Sequence, residues 1–174
     1  MPALDSISKK TPDGHGLSAP SCSALFYVYG KNADSPVKIG WTSNLKVRLR
    51  IIKAHSPIKG EMLHTLEFPD QPTAFFFEDT IKKMTKCWET ESENEWRMVP
   101  RHVFEWLTAL DSIDAGIVAE YAFPETFSLA GLLSDSQKQI LPDRRSRFLR
   151  ITKSAEESGS VYRLNSVLNK PGSD

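Results

Sequence analysis

Apolar and polar positions along this chain follow two rhythms, one of strands and one of helices. "ALFYVYG" (24–30) is dense in aromatic and β-favouring residues, the pattern of a buried strand. "KNADSP" (31–36) collects turn formers and "VKIGW" (37–41) resumes the strand pattern, so the two runs predict an antiparallel hairpin with a longer than minimal loop. Gly40 reads as a turn glycine after that strand. Thr42, Ser43 and Asn44 offer N-cap chemistry ahead of Leu45, Leu49, Ile52 and Lys53, which recur at nearly helical spacing until Pro57 and Gly60. "EMLHTLEF" (61–68) alternates as a third strand and stops at Pro69.

A second helix starts at Gln71-Pro72-Thr73, with the proline tolerated in its first turn and Phe75, Phe76, Ile81 and Met84 on a broad buried face. "NEWRMVP" (94–100) predicts a short strand or extended segment closing the unit. Helical spacing returns in "RHVFEWLTAL" (101–110) and again at 112–121, and "FSLAGLLSDSQKQIL" holds one more short helix. The expected fold class is α/β of the α+β kind: a small three-stranded, mainly antiparallel sheet flanked by helices, with a helical C-terminal extension. The expected organisation is a flexible N-terminal arm (1–22), the sheet-bearing domain (23–110), a helical extension (111–143) and a basic, mobile tail (144–174).

Composition narrows the class without naming a function. The chain has 174 residues, 40% of them hydrophobic and 25% charged, which suits one soluble domain with extensions. No apolar run reaches the roughly 18 residues of a membrane span, and residues 1–23 lack the apolar segment of a signal peptide, so no membrane association and a cytoplasmic location are expected. Cys22 and Cys87 are too few for a disulfide framework or a cysteine-rich zinc site.

Charge changes the picture through its distribution, since the net charge is zero. Between Lys38 and Lys59 there are six Lys or Arg residues and no acid. A second basic stretch runs from Lys138 to Arg163, and acid gathers at Glu89, Glu91, Glu93 and Glu95. That asymmetry fits a face that binds a polyanion, and equally a set of solvated surfaces.

The order strand, loop, strand, helix, strand, helix, with the residues at its key points, resembles the GIY-YIG nuclease superfamily. "LFY" (25–27) stands where that family has its first motif and "KIG" (38–40) where it has its second, with ten residues between Tyr27 and Lys38. "KIGWTSNLKVRLRIIKAHSP" resembles a branch found in phage, bacterial and some fungal proteins. That branch has an Arg in the first helix, an ending like "HSP", a Glu in the second helix and an E-W-F-like segment; here these are Arg48, 55–57, Glu78 and "EWR" (95–97). The likeness covers about residues 24–100. It departs at Leu25 for the first motif's Gly, at Lys38 for the second motif's Tyr, at Lys82-Lys83 where the branch often has a His, and at Arg97 for Phe. The family's late Asn has only Asn94 as a counterpart.

The resemblance implies a divalent-metal-dependent endonuclease hydrolysing DNA phosphodiester bonds, in a phage, prophage or restriction setting. It implies Tyr27 as proton acceptor or water-positioning group, Arg48 as phosphate clamp, and Glu78 as the sole protein ligand of one Mg²⁺ or Mn²⁺ ion. Lys38 would bind phosphate or lower the pKa of Tyr27. Lys38, Lys46, Arg48, Arg50, Lys53 and His55 form the expected substrate-binding set, His55 lying seven residues from Arg48 on roughly the same helical face. Read without the resemblance, Tyr27 is a core residue, Arg48 and Arg50 are solvated arginines pointing to different sides, His55 is a surface or capping residue and Trp96 is a packing anchor. Glu78 is the more telling, because a carboxylate following "AFFF" on an apolar helix wants a partner or a metal; the alternative is an exposed Glu on the opposite face of the helix. DNA is the expected partner, with a homodimer or a protein partner also open. The alternative is a catalytically inactive module of the same fold that binds nucleic acid or a protein.

Overall fold

The computed structural model describes residues 23–91 and 96–158. The expectations for the arm (1–22), for residues 159–174, for Glu93, Asn94 and Glu95, and for the pairing of Cys22 lie outside the described residues. Strands β1 (Ala24–Gly30), β2 (Val37–Thr42), β3 (Glu61–Phe68) and β4 (Trp96–Arg97) form one sheet in the order β3-β1-β2-β4, with every neighbouring pair antiparallel. The helices are α1 (Leu45–His55), α2 (Gln71–Met84), α3 (Arg101–Leu107), α4 (Ser112–Ala122) and α5 (Asp135–Glu157), joined in places by single 3₁₀ turns at Lys86–Trp88 and Leu129–Leu132.

The α+β class is therefore correct, but the sheet has four strands rather than three. The fourth is only two residues long, too short to carry an alternation that could be counted. It gains its place by pairing Val37 with Arg97 and Lys38 with Trp96 on the outer edge of β2.

β1 is central and buried on both faces, which explains its unbroken apolar run. Its even residues Ala24, Phe26 and Val28 join Ile39, Phe77, Ile81, Trp106 and Phe148 in the larger core, covered by α2 and the later helices. Its odd residues Tyr27 and Tyr29 join Trp96 and Ile52 in a smaller core beneath α1. The alternation of strand side chains thus sorts the aromatic run into two unlike environments, one apolar throughout and one built from tyrosines.

Three sequence expectations are corrected. Gly40 is not a turn residue; it lies inside β2 opposite Tyr27, and the chain turns at Ser43 and Asn44. There the Asn44 side chain caps α1 by accepting from the Val47 N–H at 3.1 Å. On α2 the buried face is Ala74, Phe77, Glu78, Ile81 and Met84, while Phe75 is 54% exposed, because helical spacing selects every third or fourth residue and so takes one phenylalanine of three into the core. The stretch from Arg144 is not a mobile tail up to Ser158: α5 continues to Glu157. A sparse stripe of Leu141, Phe148, Ile151 and Ala155 anchors α5, with Phe148 packed on Trp106 and Tyr121. Two of its arginines are engaged by α4 and its cap. Arg144 donates to Asp114 at 2.9 Å and to Asp111 at 3.0 Å, and Arg145 to Glu120 at 2.6 Å. Burial still pushes the Asp114 carboxyl up, against the pull of Arg144. No helix of the described residues is long and apolar enough to cross a membrane.

Candidate functional site

Cross-strand register decides which side chains meet. Paired residues point to the same face, so Tyr29, Lys38 and Trp96 form one row across β1, β2 and β4, with Tyr27 and Gly40 in a neighbouring row. α1 returns over this face and buries Ile52 against it. The same helical periodicity brings Arg48, Ile51, Ile52 and His55 to one stripe. Together with Lys38 and Trp96 they line a cavity of about 180 Å³. The expected substrate-binding set divides accordingly: Lys38, Arg48 and His55 converge on the cavity, whereas Lys46, Arg50 and Lys53 lie exposed on α1 outside its lining.

The pair at the base of this site is Tyr27 and Arg48. Arg48 Nε donates to the Tyr27 hydroxyl at 2.8 Å across 21 residues of sequence. Tyr27 has no exposed surface. Burial pushes its phenol above the ordinary tyrosine value, opposed by the Arg48 hydrogen bond and charge and by Lys82, and reinforced by Glu78. The hydroxyl is therefore a neutral phenol through the physiological range, outside the cavity lining and joined to it through the Arg48 hydrogen bond. Gly40 makes room for it: a Cβ there would collide with the hydroxyl and come within 2.6 Å of the ring Cζ.

Glu78 is 7% exposed on the buried face of α2, and its carboxylate meets Lys82 Nζ at 2.7 Å, one turn on. Sequence reasoning asked for a cation beside this carboxylate, and the structure supplies an ammonium. Both charges act on the Tyr27 phenol, so the four residues Tyr27, Arg48, Glu78 and Lys82 share one electrostatic neighbourhood. Glu78 does not line the cavity. Among the described residues no group of three or more His, Cys, Asp or Glu side chains gathers to hold a metal ion. A single carboxylate fits only a cation that keeps most of its waters, which is the habit of Mg²⁺.

Two contributors were not anticipated in these roles. Trp96 walls the cavity and leaves its indole N–H buried without a hydrogen-bond partner among the described residues. Lys82, in the sequence a departure from the branch's pattern, is the partner of Glu78, and its i, i+4 spacing from that residue is the signal of the pair. No protein family, curated protein or solved structure matches the chain.

Proposed function

We propose that this protein is a GIY-YIG-like, divalent-cation-dependent endonuclease that binds the DNA backbone at the cavity between β2, β4 and α1. The observation that carries this reading is the convergence of Lys38, Arg48 and His55 on one cavity, with Arg48 seated on Tyr27. An arginine held at Nε keeps its terminal N–H groups for a phosphate, and its planar fork matches two phosphate oxygens. Lys38 adds a point charge from the strand, and His55, whose Nδ1–H donates to the Ile51 carbonyl at 3.0 Å, leaves its Nε2 as an acceptor that can take a proton from an attacking water. Tyr27, wholly buried, acts as a positioning residue: its hydroxyl accepts from Arg48 and fixes the angle of the guanidinium. Glu78, outside the cavity lining but in the electrostatic neighbourhood of Tyr27, would hold the cation, which would supply positive charge to offset that of the phosphate. Its Lys82 partner must yield or share the carboxylate for this to happen.

A second reading has its own support. The burial of Tyr27 and the closed Glu78–Lys82 pair also suit a module that holds nucleic acid without cutting it. Supercoiled plasmid incubated with and without Mn²⁺ separates the two. The nuclease reading expects nicking by the wild type that disappears in Glu78→Ala and Arg48→Ala while circular dichroism stays unchanged. Absence of plasmid nicking with Mn²⁺, alongside salt-sensitive DNA binding, would leave the binding module.

A further inference from the structure

The sequence presents Arg144, Arg145, Arg147 and Arg150 as one basic run, but the tertiary structure divides it in two. Arg144 and Arg145 are committed to Asp111, Asp114 and Glu120, so they hold α5 on α4. Arg147 and Arg150 have no acidic partner among the described residues. They sit three apart on α5 and therefore share a face, which looks onto α3 beside the Trp106–Phe148 contact. There they line a groove of about 290 Å³ with His102 and Glu105 of α3 and with Ile151. Among the described residues lining the groove Glu105 is the one acid, and it accepts from Arg101 at 3.3 Å, which offsets its charge.

We infer that this α3–α5 groove is a second contact for the phosphate backbone of DNA, distinct from the cavity under α1. Two arginines with no acidic partner among the described residues, on one helix face, present two planar donor forks, the geometry that phosphate oxygens accept best. His102 adds a ring N–H from the opposite wall, and Ile151 with the arginine stems gives an apolar floor against which a sugar can rest. Duplex DNA is the occupant rather than a small anion because the groove is lined from two helices and its donors, Arg147 and Arg150 on α5 and His102 on α3, are spread over both walls. This inference rests on the DNA reading proposed above and extends it: α5 would add affinity without taking part in cleavage.

The test is fluorescence anisotropy with a labelled duplex of about 20 base pairs, titrated at salt concentrations from about 50 to 200 mM. The full chain is compared with Arg147→Gln/Arg150→Gln and with Lys138→Ala, which removes a cation from the same helix outside the groove. The double variant is expected to bind about tenfold more weakly, with the slope of log affinity against log salt reduced by about 2, one counterion for each lost phosphate contact. Lys138→Ala is expected to leave both nearly unchanged. Equal affinity and slope in the double variant and the wild type overturns the inference, as does an equal loss in Lys138→Ala; neither result touches metal-dependent nicking, which tests the cavity under α1. A wild type without salt-dependent binding overturns the groove and the DNA reading together. Unchanged melting temperature in the double variant shows that the measured loss belongs to binding.

Discussion

Gly40 and Tyr27 face each other in the β1–β2 ladder, and the tyrosine hydroxyl occupies the space a Cβ on Gly40 would fill. This close approach links the two sequence motifs physically: the glycine of one is the seat of the tyrosine of the other. Only with the ring in that seat does the hydroxyl reach Arg48 Nε at 2.8 Å.

Gly40→Ala tests the seat. Overpacking a well-filled site costs about 1–3 kcal/mol, and here the ring must tilt away from Arg48 to relieve it. Urea denaturation should show that loss, and DNA affinity should fall with it. Unaltered affinity in a destabilised Gly40→Ala protein would show that the Arg48 angle does not depend on Tyr27.

Tyr27→Phe and Arg48→Lys separate positioning from charge. The first removes the acceptor for Nε at a cost of about 1 kcal/mol and leaves the guanidinium present but unaimed. The second keeps the charge and loses the fork. Under the proposed function, each should lower plasmid nicking by about 100-fold, the scale of losing one oriented donor to the transition state. Tyr27→Phe should weaken ground-state DNA binding much less than Arg48→Ala does.

Alkaline pH should expose the buried phenol. Its folded pKa lies above the unfolded value of about 10, so the folded state keeps the proton longer than the unfolded chain. The resulting stability is fully present below about pH 10 and is lost as pH rises through the folded value, at no more than about 1.4 kcal/mol per pH unit. Tyr121, whose phenol is also raised by burial, contributes in the same direction. Denaturation at pH 9 and at pH 11 should therefore show a smaller loss for Tyr27→Phe than for the wild type.

Lys82→Met removes the ammonium that holds Glu78. A nearly buried carboxylate without its partner destabilises the metal-free protein by about 1–3 kcal/mol, less than a fully buried broken pair because Lys82 is 23% exposed. The same change opens the carboxylate to Mn²⁺. Calorimetric titration should find tighter Mn²⁺ binding by about fivefold, and the melting temperature should recover as metal is added. Weaker Mn²⁺ binding in Lys82→Met would remove Glu78 from the metal reading.

Arg144→Ala should behave unlike the groove variants. It strips the partner from Asp111 and from buried Asp114, and a loss of about 2 kcal/mol is expected after allowing for the partial exposure of the pair. Thermal denaturation should register it, while the salt slope of DNA binding stays unchanged at temperatures where the variant is folded.

Much of this architecture was legible in the chain because it is written in local periodicity. The hairpin, α1 with its Asn44 cap, β3 and the buried phase of Ile81 and Met84 follow from alternation, turn formers and helical spacing alone. So does the alignment of Arg48 with His55, which needs only a regular helix. What sequence could not carry were relations between distant segments. Whether Gly40 turns the chain or cradles a ring depends on which residue of β1 lies opposite, and that is a matter of register. The two-residue β4 exists only because β2 offers an unpaired edge. The arginines of α5 look alike in sequence; which of them are structural and which face a groove was decided by where α4 placed its carboxylates and α3 its histidine. Local preferences act over a helical turn or a strand pair, whereas charge partnership and burial are set by packing across the whole molecule. The chain alone therefore specified the hairpin, β3 and the first two helices with their candidate chemistry, and the tertiary structure determined β4, the length of α5 and which charges meet.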